Sequence, residues 1–128
     1  MRFHHAGVAT HDLDDLIDRY AAVFGVEVLH TETTDGMRIA FLGLENGYLE
    51  LLEPVDDAGP IARYLSRADT AIHHLAFAVD DIEAALDRAS EAGVELIDEQ
   101  PRPGAWGHTI AFLHPRDTGG VLTEFVQE

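Results

Sequence analysis

Hydrophobic and polar positions change their period twice along the chain, each time in the same order. Residues 2–9 alternate as in a strand, residues 12–24 repeat their apolar positions every three to four residues as in a helix, and shorter alternating segments follow. The same succession begins again near residue 72. The pattern predicts an α+β fold made of two consecutive βαβββ modules.

The alternating segments give approximate bounds for eight strands. These strands are expected at residues 2–9, 27–32, 37–44, 47–53, 72–79, 95–98, 109–113 and 121–126. Asn46 and Gly47 stand between two of them and are typical of a tight hairpin. Each module therefore has one strand before its helix and three after it.

The two long helices are expected at residues 12–24 and 81–92. Asp12 and Asp81, or their neighbours, are the N-cap candidates, and Gly25 and Gly93 are placed to end the helices. We predict a single domain, 1–128. Module one covers about 1–54, a linker with a short helix near 60–67 covers about 55–70, and module two covers about 71–128.

A sequence repeat supports this division, because the two modules align residue by residue. His4-His5 aligns with His73-His74, and "IAFL" at 39–42 aligns with "IAFL" at 110–113. Glu50 and Glu124 also occupy equivalent positions, each in the last strand of its module. The repeat indicates that each module contributes one histidine and one glutamate to a shared feature.

Strand alternation indicates which histidine of each pair faces a cleft. His5 shares its face with Gly7, and His74 shares its face with Ala76, so both have small neighbours that leave room for a ligand. A carboxylate in an apolar strand is costly to bury unless a cation compensates its charge. We therefore predict a divalent first-row metal held by the two imidazoles and two carboxylates of four residues, namely His5, Glu50, His74 and Glu124.

The remaining histidines have plainer interpretations. His4 and His73 are expected against the helices or at the sheet edge, because bulky residues share the face of His73. The other four have no repeated partner and are expected at the surface or in local hydrogen bonds, namely His11, His30, His108 and His114. Of these, His108 and His114 are the candidates for a role in the site, because they lie in the C-terminal motif.

Composition narrows the possible partners and compartments. The chain has 24 acidic and 8 basic residues, no lysine and no cysteine, and a net charge of -16 at pH 7. The charge disfavours nucleic acid, and the missing cysteines exclude disulfides and thiolate metal sites. No segment resembles a membrane span or a signal peptide, so we expect a soluble cytoplasmic protein without a membrane partner. A dense acidic surface without lysine favours a protein that works in concentrated salt, where repulsion is screened, over the alternative of an ordinary acidic protein.

These residues resemble the vicinal oxygen chelate superfamily of glyoxalases, bleomycin-resistance proteins and dioxygenases, and within it the methylmalonyl-CoA epimerase family. The likeness rests on "LELLEP" at 49–54, "IHHLAF" at 72–77 followed by Val79-Asp80-Asp81-Ile82, and "DEQPRPGAWGHTIAFLHPRDTGGVLTEF" at 98–125. It implies curved mixed sheets around a metal-binding cleft, the glyoxalase-like fold, and a homodimer. It also implies a divalent metal, usually cobalt, with manganese, zinc, nickel or magnesium as alternatives.

The implied reaction interconverts (R)- and (S)-methylmalonyl-CoA by removing the α-proton, forming an enolate and reprotonating it from the opposite face. Glu124 is implied to be the base as well as a metal ligand. The acid/base on the opposite face is left open, with Glu50 as the symmetric candidate and a metal-linked water as the alternative. Some relatives have glutamine at the position of Glu50, and some have a carboxylate where this chain has Ile39. Arg102 and Arg116 are candidates for contacting the phosphates of coenzyme A.

Two other functions fit the same residues. A glyoxalase-like lyase acting on a thiol adduct would use a similar metal site, whereas an extradiol dioxygenase would need one carboxylate rather than two. A non-catalytic resistance protein that sequesters a small molecule would not need four aligned metal ligands.

Overall fold

The computed structural model describes residues 1–128 and has eight strands, three α-helices and two short 3₁₀ helices. In chain order the strands and helices are β1 (Arg2–Ala9), α1 (Leu13–Phe24), β2 (Val28–Thr34), β3 (Met37–Leu44), β4 (Gly47–Pro54), α2 (Pro60–Leu65), β5 (Ala71–Ala78), α3 (Ile82–Glu91), β6 (Arg102–Pro103), β7 (Thr109–Leu113) and β8 (Thr123–Gln127), with 3₁₀ helices at Ala105–Gly107 and Pro115–Thr118. The predicted α+β fold with two βαβββ successions is confirmed. None of the helices has the length and apolarity needed to cross a bilayer.

The chain divides into two compact units, and the first consists of residues 5–73. Its strands are ordered β2-β3-β4-β1, with β1 parallel to β4 and the other neighbours antiparallel. Helix α1 packs its apolar face on β3 and β4. The buried core of this unit consists of Val8, Leu13, Ala40, Leu42 and Leu51.

The second unit consists of residues 1–4 and 74–128. Its strands are ordered β5-β8-β7-β6, with β5 parallel to β8 and the other neighbours antiparallel. Helix α3 packs on β7 and β8. The buried core of this unit consists of Ile82, Leu86, Ala89, Ala111, Leu113 and Phe125. Each unit thus combines parallel and antiparallel pairing in the same pattern. The boundaries of the predicted single domain stay a prediction.

Aspartate caps begin both long helices, as predicted. The Asp12 carboxylate accepts a hydrogen bond from the Asp15 amide at 3.1 Å, and the Asp81 carboxylate accepts one from the Ala84 amide at 3.1 Å. Gly25 ends α1 in the left-handed conformation, with φ of 67°. Gly93 ends α3 as predicted, because it follows the C-cap Ala92 with φ of 91°. The amides of Gly93 and Val94 donate to the carbonyls of Ser90 and Ala89, each at 3.0 Å.

Both hairpins of the first unit have two-residue turns. The predicted hairpin between β3 and β4 forms, but its two turn residues are Glu45 and Asn46 rather than Asn46 and Gly47. Gly47 pairs with Leu44 and is the first residue of β4. The turn between β2 and β3 is formed by Asp35 and Gly36, which both have positive φ, 50° and 75°. An Asp-Gly pair with this geometry matches the twist of antiparallel strands.

The strand predicted at residues 95–98 is wrong. Only an isolated bridge between Leu96 and Leu113 forms there, and the short strand β6 pairs with β7 farther along the chain. The Asp98 carboxylate accepts a hydrogen bond from the Phe112 amide at 2.9 Å. In a regular strand pair, a backbone carbonyl would accept this hydrogen bond. Pro101 then lacks the amide proton that would extend the pairing.

Candidate metal centre

One buried histidine–glutamate pair lies in the first unit. His5 on β1 and Glu50 on β4 are 3% and 7% exposed, and His5 Nε2 lies 3.2 Å from Glu50 Oε1. In the parallel register Gly7 lies beside Glu50, which places His5 diagonally across from Glu50 on the same face. The absence of a side chain at Gly7 leaves room for the imidazole and the carboxylate to approach each other.

An equivalent pair lies in the second unit. His74 on β5 and Glu124 on β8 are 3% and 5% exposed, and His74 Nε2 lies 3.8 Å from Glu124 Oε1. Here Ala76 lies beside Glu124, in the position that Gly7 has in the first unit. The structure therefore brings together the predicted residues within each unit, in the same register and with a small residue at the same place.

An aromatic ring supports each imidazole, and sequence reasoning did not assign these rings a role. Phe41 on β3 lies beside Glu50 in the ladder and contacts His5 edge to face, with ring centroids 5.8 Å apart. Phe112 on β7 lies beside Glu124 and contacts His74 in the same way at 5.6 Å. The signal was present in the repeated "IAFL" segments, whose phenylalanines align. Edge-to-face contact is a favourable arrangement for such rings, so each phenylalanine packs against the imidazole of its own unit.

Burial of two carboxylates against two imidazoles has a defined chemical consequence. A carboxylate removed from water needs a positive partner, which is either a protonated imidazole or a bound cation. Neutral imidazole nitrogen together with carboxylate oxygen is a donor set suited to divalent first-row metals. The residues of each pair fit a metal ion, and each pair offers one nitrogen and one oxygen.

Ile39 is apolar and only 2% exposed, so it supplies no carboxylate. Glu32 on β2 lies directly beside Ile39 in the antiparallel register, and its Oε1 lies 2.8 Å from His30 Nε2. His30 thus makes the local hydrogen bond expected of it. Because residues paired across strands share a face, the Glu32 carboxylate lies on the face that also carries Phe41 and Glu50.

The predicted coenzyme A contacts, Arg102 and Arg116, both have carboxylate partners. The Arg102 guanidinium donates to Asp98 at 3.0 Å and lies over the Phe112 ring. The Arg116 guanidinium donates to Glu95 at 2.7 Å. A phosphate at either arginine would have to share it with a carboxylate of the protein.

His73 and His114 have structural surroundings. The His73 ring contacts the Tyr64 ring of α2 edge to face, with centroids 5.1 Å apart, which agrees with its expected position against a helix. His114 Nδ1 accepts the Arg116 amide at 3.1 Å and caps a 3₁₀ helix.

Comparison with known proteins identifies related sequences over nearly the whole chain. Residues 4–112 match the profile of the Glyoxalase/Bleomycin resistance protein/Dioxygenase superfamily. The mitochondrial methylmalonyl-CoA epimerase of Dictyostelium discoideum is 36% identical over 99% of this chain and 78% of that protein. The ethylmalonyl-CoA/methylmalonyl-CoA epimerase of Cereibacter sphaeroides is 37% identical over 98% of this chain and 97% of that protein.

A solved structure shows the same fold. A variant of Streptomyces coelicolor methylmalonyl-CoA epimerase in complex with 2-nitronate-propionyl-CoA superposes with a TM-score of 0.96 and 38% identity. The alignment covers 100% of this chain and 94% of that one. The glyoxalase-like fold expected from the sequence is confirmed by this similarity.

Proposed function

Because this chain belongs to the glyoxalase/bleomycin resistance protein/dioxygenase superfamily, we propose that it is an epimerase of methylmalonyl-CoA. The observation that carries the proposal is the duplicated buried pair, in which His5 meets Glu50 and His74 meets Glu124 in matching registers. Relatives named as methylmalonyl-CoA epimerases match the chain from end to end, which supports the same substrate here.

The two pairs together are proposed to hold one divalent cation. Two imidazole nitrogens and two carboxylate oxygens give four donors, which leave further positions open for the oxygens of a substrate. Cobalt is the proposed metal, with manganese, zinc, nickel and magnesium as alternatives, and a homodimer is the proposed assembly. The donor set favours first-row metals over magnesium because half of its atoms are imidazole nitrogen.

When bound, the cation would act as a Lewis acid that stabilises negative charge developing on the substrate oxygens. The protein must also place a base on one face of the α-carbon and an acid on the opposite face. Glu124 is the proposed base that removes the proton. Glu50 is the proposed acid on the opposite face, for which it takes a proton from solvent before it returns one to the α-carbon, and Glu124 releases its proton to solvent after each turnover. A positioned carboxylate contributes typically about 10²- to 10⁴-fold in rate.

The small residues and the aromatic rings prepare both carboxylates for this role. Gly7 and Ala76 leave space next to Glu50 and Glu124. Phe41 and Phe112 lie beside Glu50 and Glu124, which are 7% and 5% exposed, and burial strengthens electrostatic interactions within the site. The reaction needs no redox cofactor, because the substrate and its product are epimers.

Solvent-deuterium exchange at the α-carbon of methylmalonyl-CoA tests the proposal. The cobalt-loaded protein should exchange and epimerise the substrate, and Glu124→Gln should slow exchange by about 10²- to 10⁴-fold. Glu99→Gln, an exposed carboxylate in the same unit, is the matched control and should retain activity. Undiminished exchange by Glu124→Gln would remove Glu124 from the role, and absent exchange by the unaltered protein would refute the function.

A further inference from the structure

Three side chains that the proposed reaction does not use form a second group of potential metal ligands. They are His4 on β1, His108 immediately before β7, and Glu128, which follows β8. One nitrogen of each imidazole and one oxygen of the carboxylate all lie within 4.8 Å of one another. His4 and His5 are neighbours in an extended strand, so their side chains leave β1 on opposite faces.

The distances within this group match those of a tetrahedral site. His4 Nε2 lies 2.9 Å from Glu128 Oε1, and His108 Nε2 lies 3.6 Å from the same oxygen. A tetrahedral zinc ion with bonds of about 2.0–2.1 Å separates its ligand atoms by about 3.3 Å. The two observed distances lie on either side of this value, so small side-chain adjustments would bring all three atoms to one ion.

The group is buried at its two histidines and open to solvent at Glu128. The side chains of His4 and His108 are 4% and 13% exposed, whereas that of Glu128 is 54% exposed. An ion could therefore enter past the carboxylate, and a water molecule could complete its coordination there. The two imidazoles are surrounded by protein, so their nitrogen atoms need little reorganisation to bind an ion.

Neighbouring groups hold the ligands in place. The His4 and His108 rings contact edge to face with centroids 5.2 Å apart, and the Trp106 ring lies 5.7 Å from that of His108. Trp106 has φ of 60°, a left-handed conformation that is uncommon for an aromatic residue and that here positions the residues before β7. The hydrogen bond between His4 and Glu128 lowers the pKa of the Glu128 carboxyl, while partial burial opposes the shift.

We propose that His4, His108 and Glu128 form a second metal site, which binds a zinc-class divalent cation with water as the fourth ligand. Two imidazoles and one carboxylate are a donor set found in zinc sites that keep an open position. This site is independent of the proposed reaction, since it shares no ligand with His5, Glu50, His74 or Glu124.

Equilibrium dialysis of the chelator-stripped protein against Zn²⁺, followed by metal analysis, tests the proposal. The unaltered chain should bind two ions, and His108→Ala should weaken one of them by about 100-fold or more, because changes even beyond the direct ligands cost 10- to 100-fold. Glu128→Ala, which removes the carboxylate of an exposed side chain, should weaken the same ion. His11→Ala removes an exposed histidine and is the matched control that should still bind two.

The variant His74→Ala separates this site from the proposed reaction site. It should retain the ion that His108→Ala loses, and the double variant should retain neither. Equal binding of both ions by the unaltered chain, His108→Ala and Glu128→Ala would overturn the second site, as would a single bound ion that His74→Ala removes. If the unaltered chain binds only the ion that His108→Ala loses, the second site stands and only the proposed function fails.

Discussion

Glu50 and Glu124 are the two residues on which the proposed chemistry depends, and each has two possible roles. A buried carboxylate can bind a cation, accept a proton, or do both in turn. The two roles can be separated at Glu50, because a glutamine side chain keeps an oxygen donor but cannot take up a proton near neutral pH.

Glu50→Gln should therefore retain the bound ion while slowing epimerisation by about 10²- to 10⁴-fold. Metal analysis together with a coupled assay of the two epimers measures both effects. Glu45→Gln, at the exposed turn before β4, is the control and should change neither. Full epimerase activity in Glu50→Gln would contradict its acid/base role and would leave Glu32, beside the buried Ile39, as the next carboxylate to test.

The sequence predicted the paired residues because neighbouring side chains revealed which face each histidine occupies. Gly7 and Ala76 identified His5 and His74 as the cleft-facing members of their pairs. Contacts that the repeat does not duplicate gave no such signal. His4 meets Glu128 across 124 positions of sequence, and only the folded structure brings them to 2.9 Å.

At the level of the elements, α1 and α3 begin in the same way, with an aspartate whose side chain satisfies an amide of the first turn. Helices have unsatisfied amides at this end, so the cap should contribute to stability independently of the metal. Asp80 and Asp81 provide a direct comparison, because both precede α3 and only Asp81 is its N-cap.

Asp81→Ala should lower the free energy of unfolding by about 1 kcal/mol, within a usual range of about 0.5–2 kcal/mol. Asp80→Ala, the exposed neighbour, should change it by less than about 0.5 kcal/mol. Urea denaturation of the metal-free protein measures both. Equal losses in the two variants would show that the Asp81 hydrogen bond to Ala84 does not stabilise the helix.

Periodicity predicted most elements because each module repeats the alternation of the other. It failed at residues 95–98, where apolar positions alternate but the ladder is interrupted. The interruption comes from Asp98, whose carboxylate accepts the Phe112 amide, and from Pro101, which has no amide proton. Specific side-chain hydrogen bonds of this kind have no periodic signature.

For the molecule as a whole, the net charge of -16 implies strong repulsion among exposed carboxylates. Screening reduces this repulsion, since the Debye length falls from about 30 Å at 0.01 M salt to about 3 Å at 1 M. The folded chain should therefore be more stable in concentrated salt than in dilute buffer.

Thermal unfolding in sodium chloride from about 0.01 to 1 M tests this expectation. The melting temperature should rise with salt, and the rise should be smaller in a triple variant that removes three exposed charges, Glu27→Gln, Glu45→Gln and Glu99→Gln. A melting temperature that falls or stays constant with salt in the unaltered chain would show that its acidic surface does not limit stability.

The most direct test of the central claim is anomalous X-ray diffraction from crystals of the cobalt-loaded protein at the cobalt absorption edge. The expected result is a peak within about 2.0–2.2 Å of Nε2 of His5 and His74 and of carboxylate oxygens of Glu50 and Glu124. Cobalt bound only elsewhere, or a peak contacted by the residues of a single pair, would contradict the claim that the duplicated modules together form one metal site.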